Sequence, residues 1–383
     1  MSSDDLPIGR RVAGWRVRRS MTQQMLADRL RRSKSWVDKI ERGVRPLDRY
    51  SVIQELSRVL RVDPEVLLGQ PSSAPTSTPA GVDDIRAALA RYDLPPAPPQ
   101  TDELRRQVGH AWLSYQHAHY PELLRVLPGL LDAVQGARSA ELLVQAYRIT
   151  SSLLVKLGEA DLGWLAADRA MSAAGDDPVL AATAAISVAQ ALRASGRDRL
   201  ALAATLAAAN RITSGPQRSA GEWAVGGTLL LQAALAAVGC GDMRRADKLI
   251  DRAAAVATNL RGYDDRHHTS FGPIAVELAR VVVAASRGDA VEAVRRHVTI
   301  VRREAWRRLP AEYRGAYLVD VARAYLQVGD LRGAARALVD ADSIAPAEVR
   351  CRPLARTVIA DVARGHPAPA GVARLANLVG LTR

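Results

Sequence analysis

The side chains of this chain that could do chemistry are mainly cationic, and they are concentrated near its N-terminus. The 383 residues carry a net charge of +13. Residues 1–70 hold 15 basic and 9 acidic side chains, so this segment carries +6 and the other 313 residues carry +7. A basic balance favours a polyanionic partner. The roughly fourfold higher charge density of the first 70 residues indicates that nucleic-acid contacts lie there.

Other reactive side chains do not form a known catalytic or metal-ligating pattern. Cys240 and Cys351 cannot build a disulfide framework or a four-ligand zinc site by themselves, and we expect them to be buried apolar side chains. Two histidine pairs, one on a helix face and one at His267 and His268, lack the spacing of a zinc site. No P-loop, dinucleotide-binding glycine motif or nucleophile elbow occurs. The sequence therefore predicts no enzyme, no cofactor and no metal.

The basic N-terminal segment is predicted to form five short helices over residues 7–69. Thr22 and Ser33 are candidate N-caps of the second and third helices, because their hydroxyls can accept from free backbone N–H groups. Gly43 ends the third helix. Two short helices joined by a turn of three or four residues form a helix-turn-helix.

Residues 7–69 resemble the DNA-binding domain of the phage-repressor-like, xenobiotic-response-element (XRE) class. The resemblance lies in T-Q-x-x-L-A at the second helix, W-V-x-K-I-E-R-G at the third, and a closing L-x-V-D-P-x-x-L-L-G. It implies that the third helix enters the major groove of double-stranded DNA with Lys34, Ser35 and Lys39 at base edges. The DNA-binding residues that it implies are Thr22, Gln23, Lys34, Ser35, Trp36, Lys39, Arg42 and Arg45.

The resemblance also assigns roles beside the base-reading helix. Gln23, Arg42 and Arg45 would contact phosphates, which position a reader without specifying sequence. Trp36 would either stack on sugar or methyl groups of the DNA or simply pack. A solvated basic face, which small helical domains often carry, is the alternative interpretation of these cations.

Two structural features also follow from the family pattern. Arg16 and Glu41 match an ion pair between the first and third helices. Arg31 stands where the family usually has a turn glycine, so we expect a non-glycine residue in the left-handed region there.

A linker is predicted after this domain. Residues 70–81 are rich in Pro, Ser, Thr and Gly, which is typical of a flexible connection. Residues 82–92 could form one amphipathic helix, and a proline-rich stretch follows. The expected domains are a DNA-binding domain at 1–69, a linker at 70–101 and a second domain at 102–383.

The second domain shows a repeated pattern of turn glycines and small residues. Glycines after apolar helices recur at intervals of 38 to 47 residues, at Gly158, Gly196, Gly241, Gly288 and Gly329. A small residue follows five positions later in every unit, and alanine or isoleucine twelve positions later. Such periods are typical of helical repeat arrays, and this pattern resembles tetratricopeptide (TPR) repeats. Ala118 takes the turn position of a degenerate first unit, and residues 353–383 are expected to cap the array.

The expected fold is therefore all-α. It comprises a five-helix repressor-like helix-turn-helix domain, a Pro-rich linker and a C-terminal TPR-like α-solenoid. An uncharged stretch at 223–241 is expected to be a buried helix of this array and not a membrane span. No apolar signal segment follows the acidic N-terminus, so we expect a cytoplasmic protein that is nucleoid-associated when bound to DNA.

The TPR resemblance implies a concave surface lined by the first helix of each repeat. The polar and basic end of this groove would contain Trp112, Tyr115, Gln116, Gln145, Arg148, Ser152, Gln190 and Arg193. The apolar end would contain Leu231, Leu235, Leu278, Val282 and Val319. Such a groove suits an amphipathic peptide or a small acidic effector. Alternatively, the surface packs on another subunit or on the capping helices.

The combination of an XRE-type reader with a TPR-like array resembles actinobacterial transcriptional regulators. The resemblance implies a homodimer that reads an inverted-repeat operator. Two other interpretations stay open: a helical scaffold or adaptor whose basic domain binds a protein, and an enzyme regulated by its repeats. The missing catalytic motifs disfavour the second of these.

Overall fold

The computed structural model describes residues 8–19, 21–44, 47, 50–60, 62, 67, 81–91, 101–137, 139–213, 218–258, 260, 265–365 and 370–381. All regular secondary structure over these residues is helical, which confirms the predicted fold class. The chain divides into two compact units, Met1–Pro79 and Ala80–Arg383.

The first unit contains four described helices. They are α1 (Ile8–Arg18), α2 (Gln23–Arg29), α3 (Lys34–Glu41) and α4 (Tyr50–Leu60). Their apolar faces meet in one core, in which Val12, Leu26 and Leu60 are fully buried. Most of the predicted fifth helix lies outside the described residues, although Leu67 from that segment is buried in the same core.

The second unit contains seventeen described helices. They are α5 (Val82–Ala90), α6 (Thr101–Gln116), α7 (Tyr120–Ala137), α8 (Ala140–Lys156), α9 (Ala160–Ala174), α10 (Pro178–Ala194), α11 (Asp198–Ile212), α12 (Ala220–Gly239), α13 (Met243–Thr258), α14 (Pro273–Ser286), α15 (Ala290–Ile300), α16 (Glu304–Arg308), α17 (Ala311–Gln327), α18 (Leu331–Ile344), α19 (Pro346–Arg350), α20 (Pro353–Ala363) and α21 (Ala370–Leu378).

Helix α5 belongs to the core of the second unit. Its apolar residues Val82, Ile85, Ala88 and Leu89 are fully buried, and the helix packs on α7. The segment 82–90, which we expected within a linker, therefore adds its apolar face to the array. The second unit accordingly begins before residue 102.

The turn glycines end helices as the repeat pattern predicted. All five have positive φ values, from 69° at Gly196 to 89° at Gly288, a region that costs glycine little. Ala118 takes the equivalent position in the first unit with a φ of 58°. The small residues five positions after each glycine are buried, as are the residues twelve positions after it, so paired helices pack closely.

The first helices of the repeats line one inner face. Helices α6, α8, α10, α12, α14 and α17 contact one another in this order, and α17 returns to contact α6. The inner helices of the second unit thus form a closed ring. Buried contacts between the first and last repeats, described below, explain this closure.

Helix α12 is the one described helix long and apolar enough to cross a membrane. Its most apolar window is 67% buried within the unit, so it packs as a core helix. Cys240 directly follows this helix and is exposed, while Cys351 is half-buried. The expectation of two buried cysteines was wrong for Cys240, because it lies in the turn at the helix end.

Candidate nucleic-acid interface and inner face of the array

The helix-turn-helix is held by the two predicted caps. The Thr22 hydroxyl accepts from the Met25 N–H at 3.1 Å, and the Ser33 hydroxyl accepts from the Trp36 N–H at 3.1 Å. Arg31, in the turn between α2 and α3, has a φ of 51°, as expected where the family usually has glycine. These features fix where α2 ends and where α3 begins.

Helix α3 has one buried and one exposed face. Val37 and Ile40 are buried in the first unit's core. Lys34, Ser35 and Lys39 are exposed. The structure thus places the three side chains assigned to base edges at solvent, because the apolar pair fixes the rotation of the helix.

An ion pair fixes α3 against α1. Arg16 Nε and Nη2 donate to Glu41, at 2.6 and 3.1 Å, and both side chains are largely buried. Charge-assisted bidentate contacts of this kind add geometric specificity. The Gln23 amide also donates to Glu41 at 2.9 Å. Since an amide nitrogen carries two hydrogens, this bond orients Gln23 and does not use its whole donor capacity.

The remaining predicted contacts of this unit differ in exposure. Thr22 is exposed, and Arg42 is exposed with Asp38 3.4 Å away. Trp36 is half-buried against the core, and the Arg32 guanidinium lies 5.6 Å from the centre of its ring. Packing therefore accounts for part of the Trp36 side chain. Arg45 lies outside the described residues.

Sequence reasoning assigned no contact to the turn arginines. Arg31 and Arg32 are both exposed directly before α3. Two consecutive cations in the turn were a usable signal, because the turn precedes the N-terminal end of the helix that the resemblance assigns to base reading.

The inner face of the second unit brings four predicted groove residues together. The Arg148 guanidinium lies 5.1 Å from the centre of the Trp112 ring. Tyr115 meets Trp112 edge-on at 6.0 Å and lies beside Ser152. Trp112, Arg148 and Ser152 are buried and Tyr115 is half-buried, so these side chains form one packed group on α6 and α8.

The loop before α14 covers part of this group. We call residues 265–271 the strap. The His268 ring stacks on Trp112 at 4.3 Å, with 14° between the ring planes. Arg148 donates to the His267 carbonyl at 3.0 Å. The strap therefore supplies a backbone carbonyl to Arg148, a residue of the predicted groove.

The other groove residues lie apart from this group. Arg193 donates to the Gln232 amide oxygen at 3.0 Å. Burial lowers the pKa of Arg193, against the effect of Asp198 and Asp320, and an arginine stays charged in any case. Gln145 donates to Glu141 of its own helix. The last two members of the predicted set are half-buried: Gln116 and Gln190.

The apolar end of the predicted groove is mostly filled. Leu231, Leu278 and Val319 are buried between helices, whereas Leu235 and Val282 are half-buried. Val282 and Asp320 line a small, partly open pocket between α14 and α17. Burial raises the pKa of Asp320, although four nearby cations act against this shift.

A buried ionic group joins the last repeat to the second repeat and, through two tyrosines, to the first. Lys156, at the end of α8, contacts Glu312 of α17 and lies 2.8 Å from Glu348 of α19. Arg352 donates to Glu348 at 2.8 Å. We call this group, with the two tyrosines that bond to its carboxylates, the closing cluster: Tyr115, Tyr120, Lys156, Glu312, Glu348 and Arg352.

Glu348 stays ionised despite its burial. Burial alone would raise the pKa of Glu348, but Lys156 and Arg352 hold it below its usual range. Burial and the neighbouring carboxylates raise the pKa of Tyr115 and Tyr120 well above its usual value. The tyrosines therefore stay protonated and donate to the carboxylates. No local sequence pattern pointed to this cluster.

One comparison with known proteins, a family match, agrees with a helix-turn-helix at the N-terminus. Residues 7–68 match the family described as "Helix-turn-helix domain". The chain is similar to the crystal structure of Bacillus thuringiensis PlcR in complex with the peptide PapR7 and DNA. The TM-score is 0.41, with 10% identity over 88% of this chain and 94% of that chain. No curated protein matches the chain. The first unit therefore carries a helix-turn-helix domain.

Proposed function

We propose that this chain is a sequence-specific DNA-binding transcriptional regulator of the XRE class, acting in the cytoplasm and on the nucleoid. The observation that carries the proposal is the exposure of Lys34, Ser35 and Lys39 on a capped helix whose opposite face is buried. Lysine and serine side chains at the N-terminal part of such a helix can reach base edges in the major groove.

The cations around α3 are proposed to contact DNA phosphates, which position the domain without specifying base sequence. Arg31, Arg32 and Arg42 are exposed at the two ends of α3. In this position their guanidinium groups can bind phosphates on both sides of the groove. Arg45 and Gln23 belong to the same proposed phosphate-binding set.

The second unit is proposed to dimerise the protein and to bind an effector. A single domain of this size contacts few bases, so repressor-like readers pair on half-sites about 34–36 Å apart. A homodimer would read an inverted repeat. The group around Trp112 and Arg148 offers an aromatic surface and a hydrogen-bond donor, which suit a peptide or a small acidic molecule.

The test of the DNA-reading proposal compares two substitutions. Lys39→Ala should relax preference at one base pair and weaken the preferred site by about 1–3 kcal/mol. Arg42→Ala should weaken all sequences similarly and reduce the salt slope by about one unit. The matched control is Arg308→Ala, which removes an exposed arginine of the second unit.

Fluorescence anisotropy on the preferred and scrambled duplexes at several salt concentrations measures both effects. If Lys39→Ala and Arg42→Ala bind the preferred duplex like Arg308→Ala, α3 does not read DNA, and an adaptor that binds a protein becomes the better interpretation. Static light scattering of the full chain at micromolar concentration tests the dimer. A monomer throughout would contradict that part of the proposal.

A further inference from the structure

The strap interrupts the regular connections of the array. Residues 259–272 connect α13 to α14, whereas residues 175–177 are enough to connect α9 to α10. Loops of this length in a compact unit usually have a function. Residues 265–271 turn onto the inner face, where they contact α6, α8 and α12.

The strap forms a small turn, and the buried Phe271 ring fixes its C-terminal end. The Asp265 carboxylate accepts from the N–H groups of Thr269 and Ser270, at 2.9 and 2.6 Å. The Phe271 ring is buried, and a Cβ at Gly227 of α12 would lie 2.1 Å from it. The glycine thus makes room for the ring. Phe271 fixes one end, and the preceding residues lie over Trp112 and Arg148.

The backbone of the strap is strained where it makes its contacts. His268 and Ser270 have φ values of 52° and 51°, in the left-handed region that residues with a Cβ rarely adopt. Strain of this kind persists only where surrounding contacts hold it, and it concentrates at ligand sites and switches. The stack on Trp112 is such a contact.

The Trp112 indole N–H is a donor of the inner face that the strap does not satisfy. Within the described part of the chain, the buried Trp112 Nε1 has no hydrogen-bond acceptor. A buried indole N–H normally finds a partner. A ligand that places an oxygen next to the Trp112 indole N–H would supply the acceptor that the strap does not supply.

We propose that the strap is an internal occupant of a peptide-binding site, which a peptide in trans enters by replacing it. The strap shows the chemistry that the site accepts: a flat ring on Trp112 and a backbone carbonyl on Arg148. The ligand class is a peptide that presents a flat side chain beside a carbonyl or carboxylate oxygen. This inference rests on the proposed effector function of the inner face and is independent of DNA binding.

The strap competes for this site more effectively than a free peptide, because it is covalently tethered next to it. A tethered occupant competes at an effective concentration in the millimolar range, so a weak peptide cannot displace it from the unaltered chain. Removing the His268 ring should therefore make the site accessible to the same sequence supplied in trans.

The probe is a fluorescent synthetic heptapeptide with the strap sequence, Asp-Arg-His-His-Thr-Ser-Phe, and anisotropy is measured with the full chain in the absence of DNA. The variant is His268→Gly, and the matched control is Ser270→Gly. Both substitutions relieve a positive φ, but only the first removes the stacked ring. We expect His268→Gly to bind the heptapeptide at least tenfold more tightly than the unaltered chain and Ser270→Gly do.

Two further arms test the contacts. A heptapeptide with alanine in place of its second histidine should lose the tenfold gain, and this arm needs no further change to the protein. Arg148→Met in the His268→Gly background should lose it as well. Equal binding to His268→Gly and Ser270→Gly, including no binding to either, would overturn the proposal, as would retention of the gain by the alanine heptapeptide. Because no DNA is present, none of these outcomes depends on the DNA-reading proposal.

Discussion

Replacing Glu348 with glutamine should lower the free energy of unfolding of the second unit far more than a surface substitution does, because Glu348 lies in the cluster that closes the ring of inner helices. The Glu348 carboxylate is fully buried and lies 2.8 Å from Lys156 and 2.8 Å from Arg352. In Glu348→Gln, these two cations, which are only 15% and 16% exposed, lose the carboxylate that they share.

The burial of both cations determines the size of this effect. Removing one partner of a buried ion pair typically costs about 3–5 kcal/mol, because the remaining charge stays buried. Lys156 keeps Glu312 as a neighbour, so we expect a loss near the lower figure, about 3 kcal/mol. The matched control is Arg308→Met, which breaks a pair whose side chains are 75% and 77% exposed and should cost about 0–1 kcal/mol.

Urea unfolding followed by far-UV circular dichroism measures the loss, because the second unit holds most of the described helices. The full chain is used for all variants. If Glu348→Gln lowers the free energy of unfolding by less than 1 kcal/mol, like the control, the closing cluster does not hold the first and last repeats together.

Three further predictions concern the second unit. Burial lowers the pKa of His297 to about 4, so the unfolded chain takes up this proton below about pH 6.5 while the folded chain does not. The free energy of unfolding should therefore fall by about 1 kcal/mol between pH 7 and 5.5. Urea unfolding at both pH values should show a smaller decrease in His297→Gln than in the unaltered chain. The control His119→Gln, at an exposed histidine, should show the same decrease as the unaltered chain. Ala118→Gly should relieve the positive φ and raise the free energy of unfolding by about 1 kcal/mol, which raises the unfolding midpoint. Gly329→Ala should lower the midpoint, because alanine is strained at a positive φ. Equal shifts of the midpoint in the two variants would refute the assignment of these turns. Gly227→Ala should displace the Phe271 ring and destabilise the unit by about 1–3 kcal/mol, which calorimetry would detect, while Gly109→Ala, with open space around it, should not.

The features that could be predicted from the sequence are those set by residues close together along the chain. The caps at Thr22 and Ser33 and the turn glycines of the repeats act within a few positions, so their residue types specify the local backbone. The ion pair between Arg16 and Glu41 followed from the family pattern. The exposed face of α3 followed from the buried pair Val37 and Ile40.

The features that sequence reasoning missed depend on contacts between distant segments. Nothing in the local pattern brings Glu348 to Lys156 or His268 to Trp112, because packing of the whole array sets these contacts. The same packing buries Leu278 and Val319, which the repeat register alone had placed on an open groove. It also takes helix α5 into the second unit.

Selection of bound duplexes from random DNA by the whole chain is the direct test of base reading by α3. We expect enrichment of one inverted repeat, with half-site centres about one helical turn or a multiple of it apart, and a loss of preference at a symmetric pair of positions in Lys39→Ala. Recovery of unrelated sequences by the unaltered chain, or the same enriched site with undiminished preference in Lys39→Ala, would contradict the claim that α3 reads DNA.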